Sequence, residues 1–208
     1  FRAALGVESP WFIDNVSFDA DAQRLDIHLD FTRGSKFELS GEMCPVHDTV
    51  RKTWRHLNFF EHECYLHARV PRAKGTDGKV KLILPPWAGK LDGFTLLFEA
   101  MCLEFCKHMP VTQVGRLTTV SDHRLWHMLD LYVSQARHDE DYSHAQTIGM
   151  DETSLAKRHS YITLFVDLAA KRTLFVTKGK GAGTVKEFTA DLKEHHGKAE
   201  QLQQVSCD

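Results

Sequence analysis

The sequence predicts an α+β protein in which a β-rich part, a helical part and a shorter mixed part follow one another, and three changes of hydrophobic period show it. Between Trp11 and about Trp87, β-forming residues alternate or cluster between Gly, Asp and Pro breaks. Phe94, Leu97, Phe98, Met101 and Phe105 then fall at helical spacing, and from Thr147 onward the strand pattern returns.

In the first part the segments "WFIDNVSFD", "RLDIHLDF", "KFELSG", "ECYLHARV" and "KVKLILPP" read as strands, with Trp54, Trp87, Phe59 and Phe60 as their core. In the second, Asp92 supplies a cap for a helix of about four turns. Pro110 occupies the first position of a second helix, "PVTQVGRL", and Ser121 caps a third, "SDHRLWHMLDLYVSQA", whose inner face is Leu125, Met128, Leu129 and Tyr132. The polar "RHDEDYSHAQ" reads as a linker or exposed helix end. In the third part "TIGMDE", "SYITLFVDL" and "RTLFVTKG" are strands. "GTVKEFTADLKEHHG" is a helix with Val185, Phe188 and Leu192 as its stripe, and "QLQQVSCD" is a fourth strand. The expected domains are residues 1–91, 92–143 and 144–208.

The 208 residues are 42% apolar and 26% charged with a formal net charge of -2, the composition of an ordinary globular chain without a global basic signal for nucleic acid. No apolar run approaches the roughly 18 residues of a membrane span, so no membrane partner is expected. Five cysteines at irregular spacing, without a secretory signal, point to reduced thiols in the cytoplasm. The chain starts on Phe1 rather than Met and stops on Asp208 at the end of a strand, so both ends are expected to be cut.

Two patterns carry chemistry. In a β-β-β-α-β order the last strand returns parallel to the first, which sets Asp151 beside Asp208. Two adjacent carboxylates repel unless a divalent cation neutralises them, and Mg2+ or Mn2+ held this way serves phosphodiester chemistry. The alternative is that Asp151 is a turn residue and Asp208 only the point where the chain stops. Glu152, next in the strand, points to the opposite face. The second pattern is a helix-turn-helix from Pro110 to Tyr132, with Gly115 where the helices cross, Thr119 at the turn and Leu125 as anchor. Ser121, His123, Arg124 and His127 would then face a DNA major groove, Arg124 as the leading contact. The alternative is a three-helix packing unit without a ligand. Thr119 is the poor fit, because a β-branched residue is ill suited to positive φ. Arg69, Arg72, Lys74, Lys79 and Lys81 form a basic run with only Asp77 opposing it, a pattern that usually marks a solvated face.

"GMDETSLAKRHSYITLFVDLAAKRTLFVTKGK" through "VSCD", with "TWRHLNFFEHECYLHARVPR" and "GFTLLFEA" upstream, resembles the ISL-three group of insertion-sequence transposases. The resemblance implies a zinc-ribbon-like first part, a DNA-binding helix-turn-helix and an RNase H-like catalytic domain with a DDE acid triad. It makes Asp151 the first acid and Asp208 the second, while the third, a distant glutamate, has no counterpart here. It also implies terminal inverted repeats of the element as the DNA partner and a homo-oligomer on that DNA. Cys44 and His47 match the family's first zinc pair, but residues 73–78, after "VPR", hold neither Cys nor His, so zinc is not expected. Cys64 and His67 repeat the Cys-x-x-His spacing within a strand, and Cys102 and Cys106 read as helix core. The expected function is DNA transposition by metal-dependent cleavage and strand transfer, with this chain alone inactive; the alternative is a non-catalytic DNA-binding remnant that competes with intact transposase.

Overall fold

The structure, a computed structural model, describes residues 5–156 and 160–207. Two compact units make up the chain, Phe1–Tyr132 and Val133–Asp208.

Unit 1 opens with six strands: β1 (Trp11–Asp19), β2 (Arg24–Phe31), β3 (Lys36–Leu39), β4 (Glu42–Phe59), β5 (His62–Lys74) and β6 (Val80–Leu82). They form one sheet in the order β1-β2-β5-β4-β3, with β6 beside the last residues of β5. Alternation along β2 and most of β5 makes the centre of the sheet two-faced. Leu25, Ile27, Leu29 and Phe31 of β2 and Cys64, Leu66, Ala68 and Val70 of β5 are buried with Trp11, Phe37, Trp54 and Trp87, whose rings meet edge to face. Each Leu, Ile, Val and Phe side chain among these contributes about 1.5–3 kcal/mol on burial. Phe59 and Phe60, expected in this core, are instead 40% and 85% exposed at the β4–β5 turn, where Phe60 has φ 54.

β4 is the longest strand and is absent from the sequence reading. Its "CPVH" segment, which holds the candidate zinc pair Cys44 and His47, is strand: Cys44 pairs with Phe37 and Pro45 with Lys36. Pro45, which has no N–H to give, sits next to a bulge between Val46 and Asp48, one of the places where a sheet admits proline.

Three helices follow, α1 (Leu96–His108), α2 (Val111–Thr118) and α3 (Asp122–His138). The cap of α1 is Thr95, not Asp92: its hydroxyl accepts from Phe98 N at 3.3 Å, and α2 starts one residue after Pro110. The segment between sheet and helices is latched to both. Arg55 N donates to Gly93 O and Thr95 N to Arg55 O, while the Glu99 carboxylate, fully buried on α1, accepts from Lys90 N, Leu91 N and Tyr132 Oη at 2.9, 2.7 and 2.6 Å. A Cβ at Gly89 would strike that carboxylate. Burial and the Glu99 contact push the Tyr132 phenol well above its usual range.

Unit 2 has the predicted order: β7 (Thr147–Ala156), β8 (Ser160–Asp167), β9 (Arg172–Lys178), α4 (Ala182–Glu194), a 3-10 turn at Ala199–Gln201, and β10 (Gln204–Cys207). The sheet order is β10-β7-β8-β9, with β10 parallel to β7. Ile148, Phe165, Leu174, Phe188 and Leu192 form the core under α4, the rings of Phe165 and Phe188 stacked at 4.2 Å. Val185, expected in that stripe, is 43% exposed. The segment read as a polar linker contributes core as well: Tyr142 and Ala145 are buried, Tyr142 Oη donates to Leu174 O, and Gln201 Nε2 donates to the carbonyls of both.

Candidate nucleic-acid interface and acidic site

The helix-turn-helix is built as its sequence requires. Gly115 lies where α2 meets the next helix, and a Cβ there would stand 2.8 Å from Asp122 Oδ1 and 2.9 Å from Val120 O. Thr119 closes α2 in the left-handed region, φ 57 and ψ 27. That conformation costs a β-branched residue about 1–2 kcal/mol. Its hydroxyl donates to Glu63 Oε1 on β5 at 2.6 Å, an interaction no local pattern reveals, and this bond is the leading influence holding the Glu63 carboxyl below its usual range. Buried Arg55 reaches the same carboxylate at 3.3 Å and lies 5.2 Å over the Phe98 ring. Turn, sheet and helices are thereby fixed together.

On α3, Leu125 and Met128 face the core, while Ser121, His123 and His127 are exposed. Arg124, also on the surface, turns sideways: its guanidinium sits 3.9 Å over the Phe94 ring and donates to Asp92 O at 2.5 Å, against Gly93 at φ 87. Trp126, which sequence reasoning passed over, is 61% exposed on the outer stripe with His123, His127 and Asp130.

Three cations of the basic run are paired with acids, two of them distant in sequence. Arg69 pairs with Asp30, Arg72 with Asp48 and Lys81 with Asp77. On the open face of the sheet, His67 stacks on His28 at 4.8 Å and joins Asp26 to Thr53 through its two ring nitrogens.

In unit 2, Met150 and Ile148 face the core, so Asp151 lies on the opposite face, paired with Leu164 and exposed. Glu152 points the other way, where its carboxylate accepts from Gly181 N at 3.2 Å. Strand β10 runs beside this strand with Gln204 opposite Thr147 and Cys207 opposite Met150. Asp208 lies outside the described residues, as do Lys157 and Arg158.

The candidate zinc residues do not fit one ion. Cys44 is buried and His47 half-exposed on β4, while Cys64 and His67 on β5 pair with His56 and Thr53. The nearest approach along this register, His47 to the row of His67, is six residues, about 20 Å at 3.3 Å each. Burial pushes the Cys64 thiol up to about 11, the wrong direction for a thiolate ligand. Cys102, core as expected, is raised to about 12. Among the described residues no three His, Cys, Asp or Glu side chains converge as metal ligands, and no helix is long and apolar enough to cross a membrane.

Three family models match the chain. Residues 41–74 match the zinc-finger of transposase IS204/IS1001/IS1096/IS1165, residues 83–133 the helix-turn-helix domain of transposase family ISL3, and residues 148–208 a transposase domain of the DDE ISL3 type. The transposase for insertion sequence element IS1001 of Bordetella parapertussis is 26% identical over 211 residues, 99% of this chain and 51% of that protein. The transposase for insertion sequence element IS1557 of Mycobacterium tuberculosis is 23% identical over 234 residues, 100% of this chain and 48% of that protein. The chain thus spans about half the length of the curated relatives it matches. No solved structure matches. With ribbon, helix-turn-helix and DDE segments matched in succession along one chain, it belongs to the ISL3 family of transposases.

Proposed function

We propose that this chain supplies the DNA-reading part and the first two catalytic carboxylates of an insertion-sequence transposase. The third unit of sequence, residues 144–208, is on this reading the first half of an RNase H-like domain, with 1–91 and 92–143 as ribbon and reading head. Acting in the cytoplasm as a homo-oligomer, the enzyme would bind the terminal inverted repeats of its element through Ser121, His123 and His127, with Arg124 holding α3 on residues 92–94.

One observation carries the catalytic part: β10 lies parallel to β7 with Cys207 opposite Met150, and the residues next in sequence to that pair are the two acids, Asp208 and Asp151. Val205 and Cys207 share rows with Ile148 and Met150. Carboxylate oxygens on an exposed sheet face suit Mg2+ or Mn2+, hard ions that keep several waters. Bound there, such an ion supplies an activated water or 3′-hydroxyl and stabilises the leaving oxygen. The protein's own part is positional. Glu152 ties β7 to the start of α4 from the core side, and the buried Ile148–Phe165–Phe188 packing keeps Asp151 at a fixed height on the opposite face.

Manganese titration followed by electron paramagnetic resonance tests the site: Asp151→Ala and Asp208→Ala are each expected to lower affinity for the ion, and two unaltered isotherms would overturn the pairing. The 208-residue polypeptide, which holds no counterpart of the third acid, is expected to bind element ends without nicking or joining them. Metal-dependent cleavage abolished by Asp151→Ala would refute that expectation.

A further inference from the structure

Four tryptophans occur in the sequence, and three are core: Trp11, Trp54 and Trp87 are 5%, 1% and 7% exposed. The fourth, Trp126, is 61% exposed in the second turn of α3, and a large aromatic held in water on an ordered helix marks a contact surface more than a packing need. Its stripe is His123, Trp126, His127 and Asp130, opposite the buried Leu125 and Met128. The helix-turn-helix presents this stripe outward, because Gly115, the left-handed Thr119 and its bond to Glu63 set the entry of α3. Arg124 is committed elsewhere, on Phe94 and the Asp92 carbonyl.

Resting on the DNA-binding reading above, we propose that Trp126 is the groove-contacting residue of α3 and meets thymine methyl groups in the major groove, while Arg124 is a positioning residue that seats the helix on residues 92–94. The occupant is duplex DNA. The two flanking imidazoles can donate to phosphate or base acceptors, and the largest hydrocarbon group the major groove offers an indole is the thymine methyl. Asp130 repels phosphate, so the contact belongs to the first two turns of the helix.

The test uses the full 208-residue chain and two 30-base-pair mixed-sequence duplexes at low salt, one with every thymine replaced by uracil. Since Trp126 alone is open to solvent, acrylamide quenching of intrinsic fluorescence reports on it. Quenching is expected to fall severalfold when the thymine duplex saturates the protein. Trp126→Ala is expected to bind about tenfold more weakly with an unchanged salt slope, and to lose the preference for thymine over uracil that the parent shows. Arg124→Ala is expected to leave that preference intact while raising quenching of Trp126, as α3 loosens. Binding that His127→Ala weakens but Trp126→Ala does not, or undiminished quenching in a saturated complex, overturns this inference alone. Absence of duplex binding in a mobility shift overturns it together with the DNA-binding reading. Protection of Trp126 that grows with protein concentration in the absence of DNA overturns it in favour of an interface between copies.

Discussion

Removing the Glu99 carboxylate should cost unit 1 a large share of its stability. The side chain is fully buried and accepts three hydrogen bonds, from two backbone amides and the Tyr132 hydroxyl. In Glu99→Ala all three donors lose their acceptor, and water reaches them only where the 89–95 segment pulls away from α1. An unsatisfied buried donor costs about 1–3 kcal/mol; at the lower half of that range the three together come to about 4 kcal/mol, against a typical domain stability of about 5–15 kcal/mol. With a urea dependence of about 2 kcal/mol/M, the midpoint should fall by about 2 M. Tryptophan fluorescence follows the right unit, since all four tryptophans lie before Tyr132. Glu99→Gln, which keeps one acceptor but turns an amide group toward the remaining donor, should lose about half as much. In a double-mutant cycle Tyr132→Phe should cost far less in the Glu99→Ala background than in the parent. A Glu99→Ala midpoint within about 0.3 M of the parent would refute the claim that this carboxylate fastens the segment ahead of α1.

Acid sensitivity should be traceable to His56. Burial, then the neighbouring Arg55 charge, depress its pKa to about 4, so as pH falls from 6.5 toward 4 the unfolded chain takes a proton that the folded one refuses and stability drops. The loss should reach about 2 kcal/mol at pH 5, and urea midpoints at pH 7 and 5 should converge in His56→Gln; an unchanged slope would show another group responsible. Gly115→Ala should destabilise the helical part by about 1–3 kcal/mol and abolish specific DNA binding, because one of the clashing atoms is a backbone carbonyl; full retention of both in melts and mobility shifts would contradict the crossing geometry. Purified protein should carry far less than stoichiometric zinc by elemental analysis, and one equivalent lost on Cys44→Ser would overturn the geometric argument against the ribbon site.

Much of the architecture was legible because it rests on local period. Strands β1 and β2, the helix-turn-helix glycine and the β-β-β-α-β order are all written in alternation, spacing and breakers. What escaped depends on partners remote in sequence. Strand β4 alternates poorly because Trp54, Arg55 and His56 are buried in succession, against Trp87, the Phe98 ring and the Thr95 hydroxyl, and its proline imitates a turn. Glu99 reads as a surface residue of an amphipathic helix until the amides of Lys90 and Leu91 are seen to converge on it. The basic run around Arg69 is cancelled by Asp30 and Asp48, each more than twenty residues away. For the candidate site, residue type and order pointed to Asp151, while the sideways Arg124 follows from a tertiary contact with Phe94 that composition cannot foretell, and the open Trp126 from its place opposite the buried Leu125 and Met128.

The tether between Thr119 and Glu63 makes the reading head a poor candidate for excision. A polypeptide beginning at residue 92 would carry a strained threonine with its compensation removed and a buried glutamate stripped of both amides, so the three helices should wander from the angle that aims them. If the helices read DNA as proposed, recognition is a property of sheet and helices as one casting, and transplanting that specificity would mean moving the scaffold along with the helix.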